Sequence, residues 1–218
     1  MSSDPKYFSY LLKYAGTREG YDFYGALHYG PSAYPVLKQN VKALRFAKEF
    51  PLSVSPGFGI SVTSGAWLFT GEAIYQHTLG NMDQDFLKYY LEASVRETDI
   101  ANYLGFDEIK PIVGYAGEKV IDQQSAAIYT VDSFYARPNR DSFMVRVEVQ
   151  HTDDISYGFA HTRSFTNDDY AYAIAVEYRP TDNLTVQLKG ILFGGELNTH
   201  LGRFRRNDNI EIGVIQKF

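Results

Sequence analysis

The feature that most constrains this chain is a two-residue alternation. In "DSFMVRVEVQH", Phe143, Val145, Val147 and Val149 fall on one side of an extended chain, and Met144, Arg146, Glu148 and Gln150 fall on the other. Successive side chains of a strand point to opposite faces, so this is the period of a sheet and not of a helix. "DDYAYAIAVEYRP" sets Tyr170, Tyr172, Ile174, Val176 and Tyr178 against Ala171, Ala173, Ala175 and Glu177. "NLTVQLKGILF" sets Leu184, Val186, Leu188 and Leu192 against Thr185, Gln187 and Lys189. "ISYGFAHTR" sets Ile155, Tyr157 and Phe159 against Ser156, Gly158 and Ala160. The turn-formers "HTDD", "FTNDD" and "RPTDN" separate these runs. The end, "NIEIGVIQKF", alternates too, with Ile210, Ile212, Val214 and Phe218 on one side.

The earlier part repeats the pattern less cleanly. "FLKYYLEASVRET" puts Lys88, Tyr90, Glu92, Ser94 and Arg96 on one face, and "GAWLFTGEAIYQH" puts Thr70, Glu72 and Gln76 on one face with Leu68 and Ile74 breaking the rule. "YDFYGALHYG" and "KYFSYLLKYAG" supply two more strands, and residues 110–135 hold one or two. The segment "PVLKQNVKALRFAKEF" reads as a short helix in a loop. No domain boundary interrupts the series, so residues 1–218 are expected to form a single all-β domain.

The polar faces decide which kind of sheet this is. A soluble sandwich also alternates, but fills its solvent face with long charged side chains. Here Ala, Gly, Ser and Thr are mixed with single charges, and tyrosines sit at the ends of the apolar runs, as Tyr170 and Tyr178 bracket Ile174 and Val176. The 18 tyrosines against one tryptophan suit positions with one apolar and one wet end. This is the layout of a transmembrane barrel strand, with an outward apolar band, aromatic girdles and a polar interior. Such strands escape hydropathy windows, and no run approaches the roughly 18 apolar residues of a membrane helix. A net charge of -5 argues against nucleic acid as a partner. The absence of cysteine excludes disulfides and thiolate metal sites. "MSSDPKYFSY" has neither the basic nor the apolar region of a signal peptide.

These residues resemble a known pattern. Gram-negative outer-membrane barrels end in a strand with alternate apolar residues and a terminal aromatic, which the barrel assembly machinery reads. Ile210, Ile212, Val214 and Phe218 fit that assembly signal, and Gln216 departs from it. "YLLKYAGTREGYDFYGALHYGPSAYPVL", "AWLFTGEAIYQ" and the stretch from "DDYAYAIAVEYRP" to the end look like the carboxy-terminal part of a family of largely uncharacterised porin-like barrels. There a "D-N-L-x-V" strand leads to an "F-x-G" rim, an outer loop with "G-x-F" and a closing strand, which Ile191 to Gly194 and Gly202 to Phe204 match. The resemblance implies an antiparallel up-and-down transmembrane β-barrel in the bacterial outer membrane. It implies short periplasmic turns at "HTDD" and "RPTDN" and outer loops at 31–50 and 195–207. Counting strands back gives about 11–12, and single-chain bacterial barrels have an even count. With no signal peptide in view, the expectation is an amino-terminally truncated barrel.

The function expected on this basis is passive passage of small solutes or ions, with outer-membrane lipid, lipopolysaccharide and the assembly machinery as partners. The expected pore-lining residues are Glu72, Lys88, Glu92, Arg96, Arg146, Glu148, Glu177 and Lys189. They either form a charged constriction or pair across strands and fill the interior. "GRFRRND" places Arg203, Arg205 and Arg206 where they meet lipid phosphates or only water.

Catalysis is not expected. His161 and Ser164 of "HTRS" are three apart and point to opposite faces of a strand. No metal or cofactor is expected, since the five histidines show no ligand spacing and the acidic turns need no ion to explain them. "GFG" and "FGG" open no helix after a strand, so they are not phosphate loops. Two rivals remain: a barrel enzyme acting on lipid, and a soluble all-β ligand-binding protein.

Overall fold

The computed structural model describes residues 8–33, 35–40, 45–122, 129–131 and 140–217. In chain order the elements are β1 (Tyr10–Arg18), β2 (Tyr21–Pro31), β3 (Val36–Asn40), β4 (Arg45–Glu49), β5 (Leu52–Ser64), β6 (Trp67–Thr78), β7 (Asp85–Val95), α1 (Asp99–Tyr103), β8 (Glu108–Asp122), β9 (Tyr129–Val131), β10 (Asp141–Thr152), β11 (Ile155–Ser164), β12 (Asp169–Thr181), β13 (Leu184–Gly194) and β14 (Asn209–Gln216). Eleven strands form one sheet in the order β1-β2-β5-β6-β7-β8-β10-β11-β12-β13-β14, and β4-β3-β9 form a second. Apart from the three strands set aside in the small sheet, each strand lies beside the next in sequence. The fold is an antiparallel up-and-down sheet, as the alternation led us to expect. The chain divides into two compact units, residues 1–62, 70–91 and 116–140, and residues 63–69, 92–115 and 141–218.

In the first unit, β1 and β2 pair with Tyr10, Leu12 and Tyr14 opposite Tyr29, Leu27 and Gly25. β2 continues onto β5 with Phe23, Leu27 and Tyr29 opposite Ile60, Pro56 and Val54. One face is therefore apolar and aromatic. The other carries Asp22 opposite Ser61, Tyr24 opposite Gly59 and His28 opposite Ser55. The tight β1–β2 turn ends on Gly20 at φ 77, a left-handed conformation that costs glycine little.

Residues 36–49 correct the expectation of a helix. β3 and β4 make a hairpin, with Val36 opposite Glu49 and Lys38 opposite Ala47. β9 adds to the other edge of β3, Val36 facing Val131 and Lys38 facing Tyr129. Strand pairing on both edges satisfies the backbone of β3, Val36 is buried (1% exposed), and Lys38 Nζ lies 3.1 Å from Glu49 Oε1. Tertiary context here overrides a helical composition.

In the second unit β10 to β14 build parallel rows of side chains. On the apolar face one row runs Val147, Phe159, Ile174, Gly190, Ile210 and the next Val149, Tyr157, Val176, Leu188, Ile212. Turns 153–154 and 182–183 close one end, each beside a register shift, at Gln150/Thr152 and Tyr178/Thr181. The opposite end carries the longer connections 165–168 and 195–208. The only α-helix among the described residues, α1, lies in the connection between β7 and β8, where none was expected.

Apolar burial is sparse. Among the described residues the buried apolar side chains are Val36, Phe86, Val95, Ala101 and Ile112. The apolar rows of the second unit are open: Ile210 is 80% and Ile212 74% exposed, Tyr172 and Leu188 are exposed, and Val147, Val176 and Val186 are half-buried.

Several aromatic rings lie across a glycine on the neighbouring strand. Tyr24 covers Gly59 and Tyr170 covers Gly194, each pair being direct cross-strand partners. A Cβ at Gly59 would meet the Tyr24 ring, whereas one at Gly25 meets nothing within 4 Å. Gly59→Ala is therefore expected to lower stability by about 1–3 kcal/mol, and Gly25→Ala to leave it almost unchanged. Urea unfolding of the refolded protein in detergent or lipid, followed by tryptophan emission, measures both.

Candidate functional site

The polar face is the place to look for function, because its charges are held by cross-strand partners. In the first unit, Glu72 lies on β6, and the Lys13 ammonium sits 4.6 Å over the Tyr24 ring. Ser61 and Thr70 hydroxyls are 3.1 Å apart. Lys88 on β7 donates to Gln76 Oε1 at 2.8 Å and lies 3.6 Å from Glu118 Oε2. Glu118 is 7% exposed in its side chain, so a nearby cation favours its charged form.

In the second unit the polar rows are ordered by register. Arg146 lines up with Ala160, Ala173 and Ile191. Glu148 lines up with Gly158, Ala175, Lys189 and Glu211. Gln150 lines up with Ser156, Glu177 and Gln187. Arg146 Nε is 3.2 Å from Glu148 Oε1, and Lys110 Nζ is 3.7 Å from Glu148 Oε2. Glu177 accepts from Arg179 Nε at 2.7 Å and from Gln187 Nε2 at 2.8 Å. Between these charges β11 and β12 present Gly158, Ala160, Ala173 and Ala175, which leaves two shallow depressions of about 320 and 220 Å³.

The structure thus places Arg146, Glu148, Glu177 and Lys189 on one face of the second unit, and Glu72 and Lys88 on adjacent strands of the first. Glu92 is half-buried on β7, in alternation with Lys88. Arg96 differs from expectation. β7 ends at Val95, and Arg96 lies just beyond it, with its N–H donating to Ala66 O at 3.0 Å and its Nε 3.1 Å from Glu108 Oε2. Its backbone is engaged by the neighbouring turn, so it marks the strand end. Ile210, Ile212 and Val214 share the exposed apolar face of β14, and Phe218 lies outside the described residues.

The reading from sequence missed the partners Glu108, Lys110 and Glu118. β8 does not alternate cleanly, with Pro111, Gly114 and Gly117 in its run. The even spacing of Glu108, Lys110 and Glu118 was the available signal.

Two other groups are located. His161 stacks on Tyr172 on the apolar face, centroids 4.4 Å apart. Ser164 is on the opposite face, buried, and its Oγ accepts from Asn167 N–H at 3.3 Å. In the loop 195–208, Arg203 lies over the Phe204 ring at 4.9 Å and Arg205 donates to Gly195 O at 3.3 Å. The loop is tied to β12 by the fully buried Asp169, whose Oδ2 accepts from Leu201 N–H at 2.6 Å.

No family profile matches the chain, and no curated protein matches it. Among solved structures, KdgM porin is similar at 9% identity and a TM-score of 0.41, over 96% of this chain and 91% of that one. KdgM porin in complex with disordered oligogalacturonate gives 9%, 0.40 and the same coverage. Outer membrane phospholipase A from Escherichia coli gives 9% and 0.44, over 96% of this chain and 77% of that one.

The Lys88–Glu118 contact generates a test. Lys88→Met removes the cation 3.6 Å from a nearly buried carboxylate and is expected to cost about 1–3 kcal/mol. Adding Glu118→Gln is expected to restore part of the loss, and a double-mutant cycle in urea measures that coupling.

Proposed function

We propose that this chain is an outer-membrane β-barrel of the porin-like kind, sited in the bacterial outer membrane and passing small solutes or ions without chemical change. One observation carries the reading. From β10 to β14 the sheet keeps an apolar face open and a charged face on the other side, with register holding the two apart over five strands. In water that open apolar face would be costly at about 25 cal/mol per Å². Against lipid it is the favoured arrangement.

The dimensions agree. Tyr170 to Tyr178 on β12 spans about 27 Å at 3.4 Å per residue, which at a tilt of about 35–45° is about 19–22 Å of height, within the band of about 25 Å that outer-membrane barrels show. Aromatic rings end the band on β12: Tyr170 and Tyr172 toward the longer loops, Tyr178 toward the turns. Among the described residues no helix is long and apolar enough to cross a membrane, so strands would do the crossing. Across β10 to β14, longer connections at one end and tight turns at the other suit outer loops and periplasmic turns.

On this reading Glu72, Lys88, Glu92, Arg146, Glu148, Glu177 and Lys189 face the aqueous interior, and Arg96 sits at its periplasmic rim. Ile210, Ile212 and Val214 with Phe218 form the stretch read by the assembly machinery. Arg203, Arg205 and Arg206 lie within reach of lipopolysaccharide phosphates. The lipid-hydrolase alternative has weaker support, because His161 and Ser164 lie on opposite faces.

The complete chain reconstituted in a planar bilayer tests the proposal. It is expected to conduct, and Arg146→Glu and Lys189→Glu are each expected to shift the reversal potential in a salt gradient toward cation preference. Val176→Arg on the outward face is expected to impair insertion, at a cost of about 2–4 kcal/mol at mid-depth. Absence of conductance, or reversal potentials unmoved in both lumen variants, would overturn the channel reading.

A further inference from the structure

The connection between β13 and β14, residues 195–208, is tied to the polar face of the sheet at two points. Asp169 opens β12 in the same alternation as Ala171, Ala173 and Ala175. It is fully buried, and its Oδ2 accepts from Leu201 N–H at 2.6 Å. Phe193 is opposite Ala171, so it shares that face. The Phe204 ring lies against Phe193, centroids 5.6 Å apart. We propose that this loop is a constriction element, with Phe204 the residue that limits the size of solute admitted. The proposal rests on the porin-like reading, which makes the polar face the wall of an aqueous path.

The local sequence folds the loop this way. Gly195 leaves β13 at φ 119, a conformation that favours glycine, and a Cβ there would stand 2.6 Å from the Asp169 Cβ. Thr199 Oγ1 donates to Glu196 O at 2.8 Å and accepts from Gly202 N–H at 3.1 Å. Gly202 is buried, and a Cβ on it would meet Glu196 O and Thr199 Oγ1. Arg205 Nη1 donates to Gly195 O at 3.3 Å, and Asp208 Oδ1 accepts from Phe193 N–H at 2.9 Å. The loop is thus bonded to itself and to both strands it joins or crosses. Phe204 follows from that frame, with the Arg203 guanidinium 4.9 Å over its ring.

The register places the ring. Phe193 stands one row outward of Ile191, whose row includes Ala173, Ala160 and Arg146. Rows on one face repeat every two residues, so Phe204 adds a second layer of side chain about 7 Å beyond the Arg146 row. Side chains alone fill a barrel of about eight strands, and about 16–18 strands leave an open channel. The 11 strands of the large sheet fall between these limits. At that size a second layer takes up much of the width that the first leaves.

Two measurements test this. Trypsin cleavage after Arg203, Arg205 and Arg206 reads docking of the loop without any conduction. In nanodiscs Asp169→Ala is expected to speed that cleavage at least about fivefold, because cleavage follows the open population. Asp169→Asn, which keeps an acceptor for Leu201 N–H, is expected to stay close to the unaltered chain. Swelling of liposomes that hold the refolded full chain reads solute size. The raffinose-to-arabinose rate ratio is expected to rise at least about threefold in Phe204→Ala, since pore width governs passage. It is expected to rise further when residues 197–206 are replaced by two glycines. Ile191 and Asn209 are cross-strand partners, so the shortened connection still closes the hairpin. Equal cleavage with and without the Asp169 carboxylate, or an unchanged ratio in both trimmed chains, would overturn the constriction. Arabinose entry with an unchanged ratio keeps the channel and removes the constriction. Swelling in the shortened chain alone supports it, and swelling in none of the three removes the channel reading and the constriction with it.

Discussion

Everything in this structure depends on cross-strand register. Each strand satisfies its backbone through its neighbours, and each residue faces the same side as its partner. A slip of one residue would carry a whole strand's apolar set to the polar side. β10 to β14 hold this phase across five strands. The register shifts beside turns 153–154 and 182–183 confine the irregular residues to the strand ends, so the rows between stay in step. The aromatic rings that cover glycines on the next strand add side-chain contacts specific to one register.

The consequence is a sheet with two unlike faces and little between them. Ile174, Leu188 and Ile212 stand open on one side, while Arg146, Glu148, Glu177 and Lys189 occupy the other. Ion pairs among exposed charges contribute little to stability, so the Arg146–Glu148 contact is better understood as fixing where two charges point. Lys88 and Glu118 differ, because the carboxylate is nearly buried and would be costly alone. Burial thus separates a charge pair that carries structure, in the first unit, from exposed charges that do not, in the second.

How much was legible follows from where each signal lies. The β10–β14 strands were readable because an apolar face and a more polar face alternate along each of them, with breaks only at single positions such as Gly190 and Ile191. The β3–β4 hairpin was not, because its strand character comes from pairing with β9, distant in sequence, and from burial of Val36. The end of β7 was overrun by one residue at Arg96, since alternation continues past the point where Ala66 takes up the backbone. Of the candidate charges, the side they face was readable and their partners were not. Lys110 meets Glu148, and Lys88 meets Glu118, only once β8 is placed.

The sequence by itself determined the class of the fold and, from β10 to β14, the order of the strands and the composition of each face. A period of two between tight turns admits little else there. The tertiary structure decided which charges meet, which carboxylate is buried, and that Gly158, Ala160, Ala173 and Ala175 from two strands form one floor. The reason is physical: period and turn chemistry are local properties of the chain, whereas ion pairs and depressions depend on register between strands that only pairing in space fixes.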